Sequence, residues 1–257
     1  MKANWKLFFL GALVILVIFP FAYLLLLSMA SEWRFPALWP SYFGLRNWEQ
    51  VVSSETGLIS SFFVSTAIST CVATMSTLIG FFISRAIAYH PLKRTITLLT
   101  YFPYILAPVV FAACLSYFFL KLGLFGKPVG VFVAQFMVAF PYALIFFSSF
   151  WGEKTKSYEE LVATLGGNQW QAFRKVLLPI AKNMLIICFF QTFLISWFEY
   201  GLTSIIGVGK VQTLTIKVFL FIKESNFYYG ALSCCLLILP PVLLLYINKR
   251  YVFNNLI

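Results

Sequence analysis

Glu199 is the one carboxylate that falls inside an apolar run of this chain, in Trp197-Phe-Glu199-Tyr200-Gly201. A charge at membrane depth costs about 3 kcal/mol or more unless it is paired or hydrated, so this side chain must face other helices or a water-filled path. No Lys or Arg falls inside such a run to neutralise it, which leaves a partner group, water or a transported solute to do so. The remaining inventory argues against catalysis. His90 is the only histidine, which speaks against a histidine metal site or a Ser-His-Asp triad within the chain. The five cysteines, Cys71, Cys114, Cys188, Cys234 and Cys235, lie in apolar runs without ligand spacing and read as packing residues. No G-x-x-x-x-G-K-[ST] phosphate loop occurs, so the chain is not expected to bind ATP in that way, and any ATP chemistry would belong to another subunit. The chain is expected to be no enzyme and to hold no metal or cofactor.

The elements that must position Glu199 are membrane helices. A chain of 257 residues that is 61% hydrophobic and 11% charged cannot cover a soluble globule with polar surface. Six apolar stretches are long enough to cross ~30 Å of hydrocarbon: about Leu7–Met29, Leu58–Ile83, Ile96–Leu120, Val129–Trp151, Met184–Ile206 and Tyr229–Ile247. The first lacks a small-residue cleavage site and reads as a retained helix. With a cytoplasmic N-terminus, the inner segments carry Lys2, Lys6, Arg85, Lys93, Arg94, Lys154, Lys156, Arg174, Lys175, Lys182, Lys249 and Arg250, twelve of nineteen basic residues, with seven outside. The expected fold is therefore all-α, a polytopic bundle of six transmembrane helices with both termini cytoplasmic. The +11 charge is the positive-inside signal and an affinity for anionic lipid, not a nucleic-acid footprint. Residues 1–257 read as one transmembrane domain, with a core of about 58–250 and a cytoplasmic loop of about 152–182.

Three further patterns bear on these elements. Trp33, Phe35, Trp39, Tyr42, Phe43 and Trp48 lie among prolines in the external segment 31–57 and suit an interfacial belt. In the second span Ser61, Ser65 and Ser69 form an i, i+4 stripe beside Thr66, Thr70, Thr74 and Thr77, suited to close helix packing, with a passage lining as the alternative. Pro103, Pro108, Pro141, Pro240 and Pro241 sit in or beside spans, where kinks are expected.

The cytoplasmic loop encodes two short helices and a corner. Ser157-Tyr-Glu-Glu160 has capping-box spacing and predicts a helix start. Gly166-Gly167 predicts its end, since glycine takes the left-handed conformation cheaply. Asn168-Gln-Trp170-Gln171 predicts a second start, followed by Trp170, Phe173, Val176 and Leu177 at helical spacing, and Pro179 predicts a turn into the next span. An amphipathic helix on the membrane surface is the other use of such a segment.

Glu160-Leu-Val-Ala-Thr-Leu-Gly166, with Val176-Leu-Leu178-Pro179 beyond it, resembles the E-A-A-x-x-x-G-x9-I-x-L-P loop of ABC-importer permeases; Leu161-Val162 stand where the family has two alanines. Leu45-Arg-Asn-Trp48, Tyr101-Phe-Pro103 through Pro108-Val-Val, Glu199-Tyr-Gly201-Leu-Thr203 and Gln212-Thr-Leu-Thr-Ile-Lys-Val-Phe219 resemble other segments of such permeases, the last with Thr215 in place of a proline. The resemblance implies a type I permease in a bacterial inner membrane that forms half of a translocation path. It implies two P-loop ATPase subunits that bind ATP and Mg, a second permease, identical or homologous, and an extracytoplasmic solute-binding protein. Glu160, Gly166, Gly167, Asn168, Trp170, Phe173, Leu178 and Pro179 are the expected ATPase-coupling residues. Glu199, Tyr200, Ser65 and Ser69 are candidates for the solute path. The cargo implied is a small cation such as a polyamine or thiamine, or iron(III), with phosphonate, sulfate or molybdate as the anionic alternative. An ion-coupled carrier is the competing class, and would be expected to carry several ionisable groups in its spans.

Overall fold

Backbone amides in hydrocarbon find partners only within a helix or closed barrel, and the apolar runs fold accordingly. The computed structural model describes residues 2–32, 42–52 and 57–251. Trp33, Phe35 and Trp39 of the aromatic segment lie outside them. Helix α1 (Lys2–Ser28) leads to a short antiparallel pair, β1 (Ala30–Glu32) and β2 (Tyr42–Phe43), and to α2 (Arg46–Val52). Asn47 Nδ2 donates to Ala30 O at 2.8 Å, closing this connection. Helix α3 (Leu58–Ala88) spans 31 residues, and its predicted hydroxyl stripe faces inward: Ser61, Ser65, Ser69 and Thr77 are all buried.

The third apolar run, expected as one span over 96–120 with kinks at its prolines, is broken into three helices. It forms α4 (Lys93–Thr100), α5 (Phe102–Ile105) and α6 (Pro108–Lys121), and the part before Leu106 meets α6 at 99°. Pro108 is the physical cause: its ring disfavours helical geometry in the preceding residue, and Ala107 is extended at ψ 142°, as is Leu106 at ψ 140°. Helix α7 (Pro128–Ser148) accommodates Pro141 in its interior. The loop helices α8 (Glu153–Thr164) and α9 (Gln169–Ala172) follow, then a π-helical turn, Phe173–Leu177, and α10 (Leu178–Trp197). The fifth run also departs from expectation, because α10 stops at Trp197 and a separate α11 (Gly201–Gly207) begins after a turn. Helices α12 (Leu214–Lys223) and α13 (Phe227–Tyr251) complete the chain, with Pro240 and Pro241 inside α13. Among the described residues, five helices are long and apolar enough to cross a membrane, and the bent α4–α6 segment, a broken span or a re-entrant loop by its geometry, brings the number to six when counted as one span.

Contacts divide the chain into two units. The first, Met1–Val64 with Thr213–Val242, packs α12 against α13 through Phe221 and Tyr229, whose rings lie 5.5 Å apart, and joins Tyr229 Oη to Gln50 Oε1 at 2.5 Å. The second, Ser65–Gln212 with Leu243–Ile257, has a core of Phe81, Ala143, Phe147, Trp151, Leu177, Ala181 and Cys188. Phe81 sits at its centre, 5.1 Å from the Phe147 ring and 4.9 Å from Trp151. These side chains come from α3, α7, Trp151 just beyond it, the π-helical turn and the first half of α10, so the core anchors the roots of the loop between α7 and α10.

Candidate coupling loop and buried polar chain

Helix α8 begins earlier than its sequence suggests. Gly152 is the N-cap and Glu153 opens the helix, where its charge meets the positive end of the dipole. Ser157 is therefore interior and donates to Glu153 O at 2.9 Å, so the predicted capping box with Glu160 does not form. The end is as expected. Gly166 has φ +77°, with Gly166 N on Ala163 O at 3.0 Å and Gly167 N on Val162 O at 2.9 Å. This paired pattern satisfies the last carbonyls of a helix and needs a left-handed residue at the first glycine.

Asn168 then caps α9 as predicted: its Oδ1 accepts from Gln171 N at 2.8 Å and its amide N donates to Gln171 Oε1 at 3.0 Å. Pro179 does not make a turn. The helix runs unbroken over Gln169–Trp197, and the π-helical stretch just before Leu178 explains how. A proline ring inside an α-helix collides with the carbonyl four residues back and lacks an amide to donate; the wider π turn relieves both.

The loop has a clamped side and an open side. Phe173, Tyr158 and Met184 pack on the Phe81 core, Leu177 is buried, and Trp151 Nε1 donates to Ser84 Oγ at 2.8 Å. Arg85 Nη2 lies 2.8 Å from Glu159 Oε1, tying the end of α3 to α8, and its guanidinium carbon stands 5.9 Å from the Trp151 ring centroid. Outward lie Leu161 (57% exposed), Leu165 (80%) and Trp170 (63%), with Trp170 stacked on Phe173. Glu160 is exposed and, among the described residues, forms an ion pair with Lys156 alone, at 3.6 Å. Leu178 and Pro179 are also exposed. The sequence singled out Glu160 but missed the Arg85–Glu159 pair, which no spacing rule joins.

Glu199 lies in the turn between α10 and α11. Its Oε1 accepts from Leu202 N at 2.9 Å, and its Oε2 accepts from Thr203 N at 3.1 Å and Thr203 Oγ1 at 3.2 Å. The carboxyl group thus sits at the amide-donating end of α11, where backbone N–H groups and the Thr203 hydroxyl engage both its oxygens without a cation. Gly201 lets α11 lie close against α6: a Cβ there would meet Val109 Cγ2 at 3.0 Å and Pro108 Cβ at 3.3 Å, so the neighbours would have to shift by a few tenths of an ångström to admit a side chain.

From Thr203 a chain of polar atoms crosses the bundle. Gln135 Nε2 donates to Thr203 Oγ1 at 2.9 Å, Ser196 Oγ donates to Gln135 Oε1 at 2.5 Å, and Ser196 Oγ and Ser69 Oγ are 3.1 Å apart. Ser69, Gln135, Ser196 and Thr203 are each buried. Of the path candidates, Glu199 and Ser69 are thus joined, Ser65 is buried on the same α3 stripe, and Tyr200 is half-buried at the N-cap of α11. Gln135 and Ser196 were missed; Gln135 is the one amide side chain in α7, a signal the sequence carried.

Comparison with known proteins accords with this architecture. The family model of the binding-protein-dependent transport system inner membrane component matches residues 74–255. The chain is 20% identical over 258 residues to the inner membrane ABC transporter permease protein YcjP of Escherichia coli, covering 96% of this chain and 92% of that one. It is 26% identical over 227 residues to the molybdenum transport system permease ModB of Mycobacterium tuberculosis, covering 82% and 84%. A crystal structure of a bacterial ABC transporter that imports the acidic polysaccharide alginate superposes with TM-score 0.70 at 16% identity, over 98% of this chain and 96% of that one, a likeness of fold. The chain belongs to the binding-protein-dependent transport system inner-membrane component family and is a multi-pass inner-membrane permease of an ABC importer.

Proposed function

We propose that this permease forms half of a translocation path, paired with a second permease, and takes its drive from two P-loop ATPases docked on the α8–α9 loop. ATP and Mg bind those partners, a solute-binding protein delivers cargo on the opposite face, and both termini lie in the cytoplasm. The carrying observation is the loop's asymmetry: its inner side is clamped to α3, α7 and α10, while Glu160, Leu161, Leu165 and Trp170 stay exposed about a glycine corner. A rigid corner with a few apolar anchors is what force transfer between subunits requires. Gly167, Asn168, Phe173, Leu178 and Pro179 hold the shape of that corner and its exit. Benzophenone placed at Leu165 or Trp170 should crosslink to the ATPase in the assembled transporter; crosslinking to lipid alone would instead establish a membrane-surface helix.

For the cargo, Glu199 supports an oxyanion or saccharide over a small cation such as a polyamine, thiamine or iron(III). Both its oxygens are engaged by α11 and Thr203, which leaves it poorly disposed to bind a cation. The molybdenum and alginate named for the related transporters are in keeping with this choice. Competition of labelled molybdate, alginate oligomers and spermidine for the cognate binding protein would decide the class, and displacement by spermidine alone would reverse it.

A further inference from the structure

We propose that the open cavity lined by α3, α4 and α7 binds the headgroup of an anionic phospholipid of the cytoplasmic leaflet. The cavity measures about 450 Å³ and is bounded by Ser84 of α3, Lys93, Arg94 and Leu98 of α4, Ile145 of α7, and Trp151. That size lies within the ~300–1,000 Å³ of small-molecule pockets. Its two cations are concentrated on one wall. Among the described residues neither Lys93 nor Arg94 has a carboxylate within ion-pair reach, so an anion entering the cavity meets two uncompensated charges. The other walls are mainly apolar, as acyl chains leaving a headgroup require.

Helix α4 itself has the character of a segment lying in the headgroup layer. None of its residues is buried, Leu98 and Leu99 are 65% and 66% exposed, and its basic residues cluster at its first turn. Such a basic amphipathic helix binds at the interface through apolar burial and attraction to anionic lipid, and basic pockets between membrane helices on the cytoplasmic side take acidic headgroups. The 99° bend before α6 takes α4 off the line of that span.

Trp151 connects this cavity to the loop. It lines the cavity, donates to Ser84, and lies beside the Arg85 guanidinium that holds Glu159 of α8. Lipid in the cavity therefore braces the clamp of the coupling loop. The cytoplasmic assignment and the effect on coupling rest on the function proposed above, whereas retention of lipid by the cavity does not.

The test is native mass spectrometry of the purified transporter, permease with its ATPases, titrated with phosphatidylglycerol or phosphatidylcholine. The wild type should retain phosphatidylglycerol selectively. Lys93→Gln with Arg94→Gln should weaken that retention roughly thirty-fold, about 2 kcal/mol at 1.4 kcal/mol per tenfold, for two basic contacts. Lys154→Gln with Lys182→Gln, an equal loss of charge on the loop and its exit, should leave it intact. Equal retention of both lipids, unchanged retention in the Lys93/Arg94 variant, or the same loss in the control pair would overturn the site. In proteoliposomes, phosphatidylglycerol should raise the ratio of uptake to ATP hydrolysis for the wild type only. Intact selective retention with no such rise would keep the site and overturn its link to coupling.

Discussion

Substitution at Gly166 separates backbone strain from side-chain contact in the coupling loop. Its φ of +77° is a region that L-residues enter at about 1–2 kcal/mol, with asparagine penalised less and β-branched residues more. Among the described residues, a Cβ at this position would meet no atom within 4 Å, so the effect there comes from the backbone. A penalty of 1–2 kcal/mol shifts a local equilibrium by roughly five- to thirty-fold, and here it shifts the corner away from the geometry that directs α9. Gly166→Asn should therefore retain most function, Gly166→Ala lose several-fold, and Gly166→Val lose more, all with normal membrane insertion. The assay is uptake and ATP turnover in proteoliposomes containing the purified complex and its binding protein. Wild-type uptake in the Val variant would refute a strained corner. Equal damage from Asn and Val would replace it with a steric contact on the docked ATPase.

The buried polar chain predicts that Gln135→Leu, which leaves Thr203 bonded only to Glu199 and Ser196 only to Ser69 within that chain, costs about 1–3 kcal/mol for the two lost hydrogen bonds and lowers complex yield or thermal stability. Glu199→Gln should behave as a milder form of the same lesion and Glu199→Ala as a stronger one, with uptake per assembled transporter little changed; full assembly with lost uptake would return Glu199 to the solute path. For the Arg85–Glu159 pair, about a third and a fifth exposed, either single charge reversal should uncouple ATP hydrolysis from uptake by an effect worth about 1–2 kcal/mol, and the double swap should recover part of it. Lack of any recovery would mean that Arg85 acts through Trp151 alone. Cysteines introduced at Asn47 and Asn168 should label from opposite membrane faces, Asn47 from outside, and labelling of both from one face would overturn the six-span orientation.

The sequence alone determined what depends on local chemistry and gross composition. Apolar length marked the spans, because hydrocarbon leaves the backbone no alternative to helix. Gly166 and Asn168 announced a helix end and a helix start, since the left-handed turn and the cap are made by neighbours within a few residues. Tertiary packing decided the rest. Ser157-Tyr-Glu-Glu160 has the spacing of a cap, yet α8 begins at Glu153 and draws Ser157 into its interior. Pro179 reads as a stop, yet the helix passes through it, because a π turn widens just before it while Leu177 and Ala181 are held in the core. Pro108 announced a kink, but its size, 99°, belongs to the packing of α4 and α6 with their neighbours. The partners of Glu199 divide the same way. Its backbone donors lie within four residues, whereas Gln135 lies sixty-eight residues before Thr203 and Ser69 a hundred and twenty-seven before Ser196. No periodicity in one chain encodes which helices will touch, so the polar chain across the bundle and the Arg85–Glu159 clamp exist only once the helices are packed.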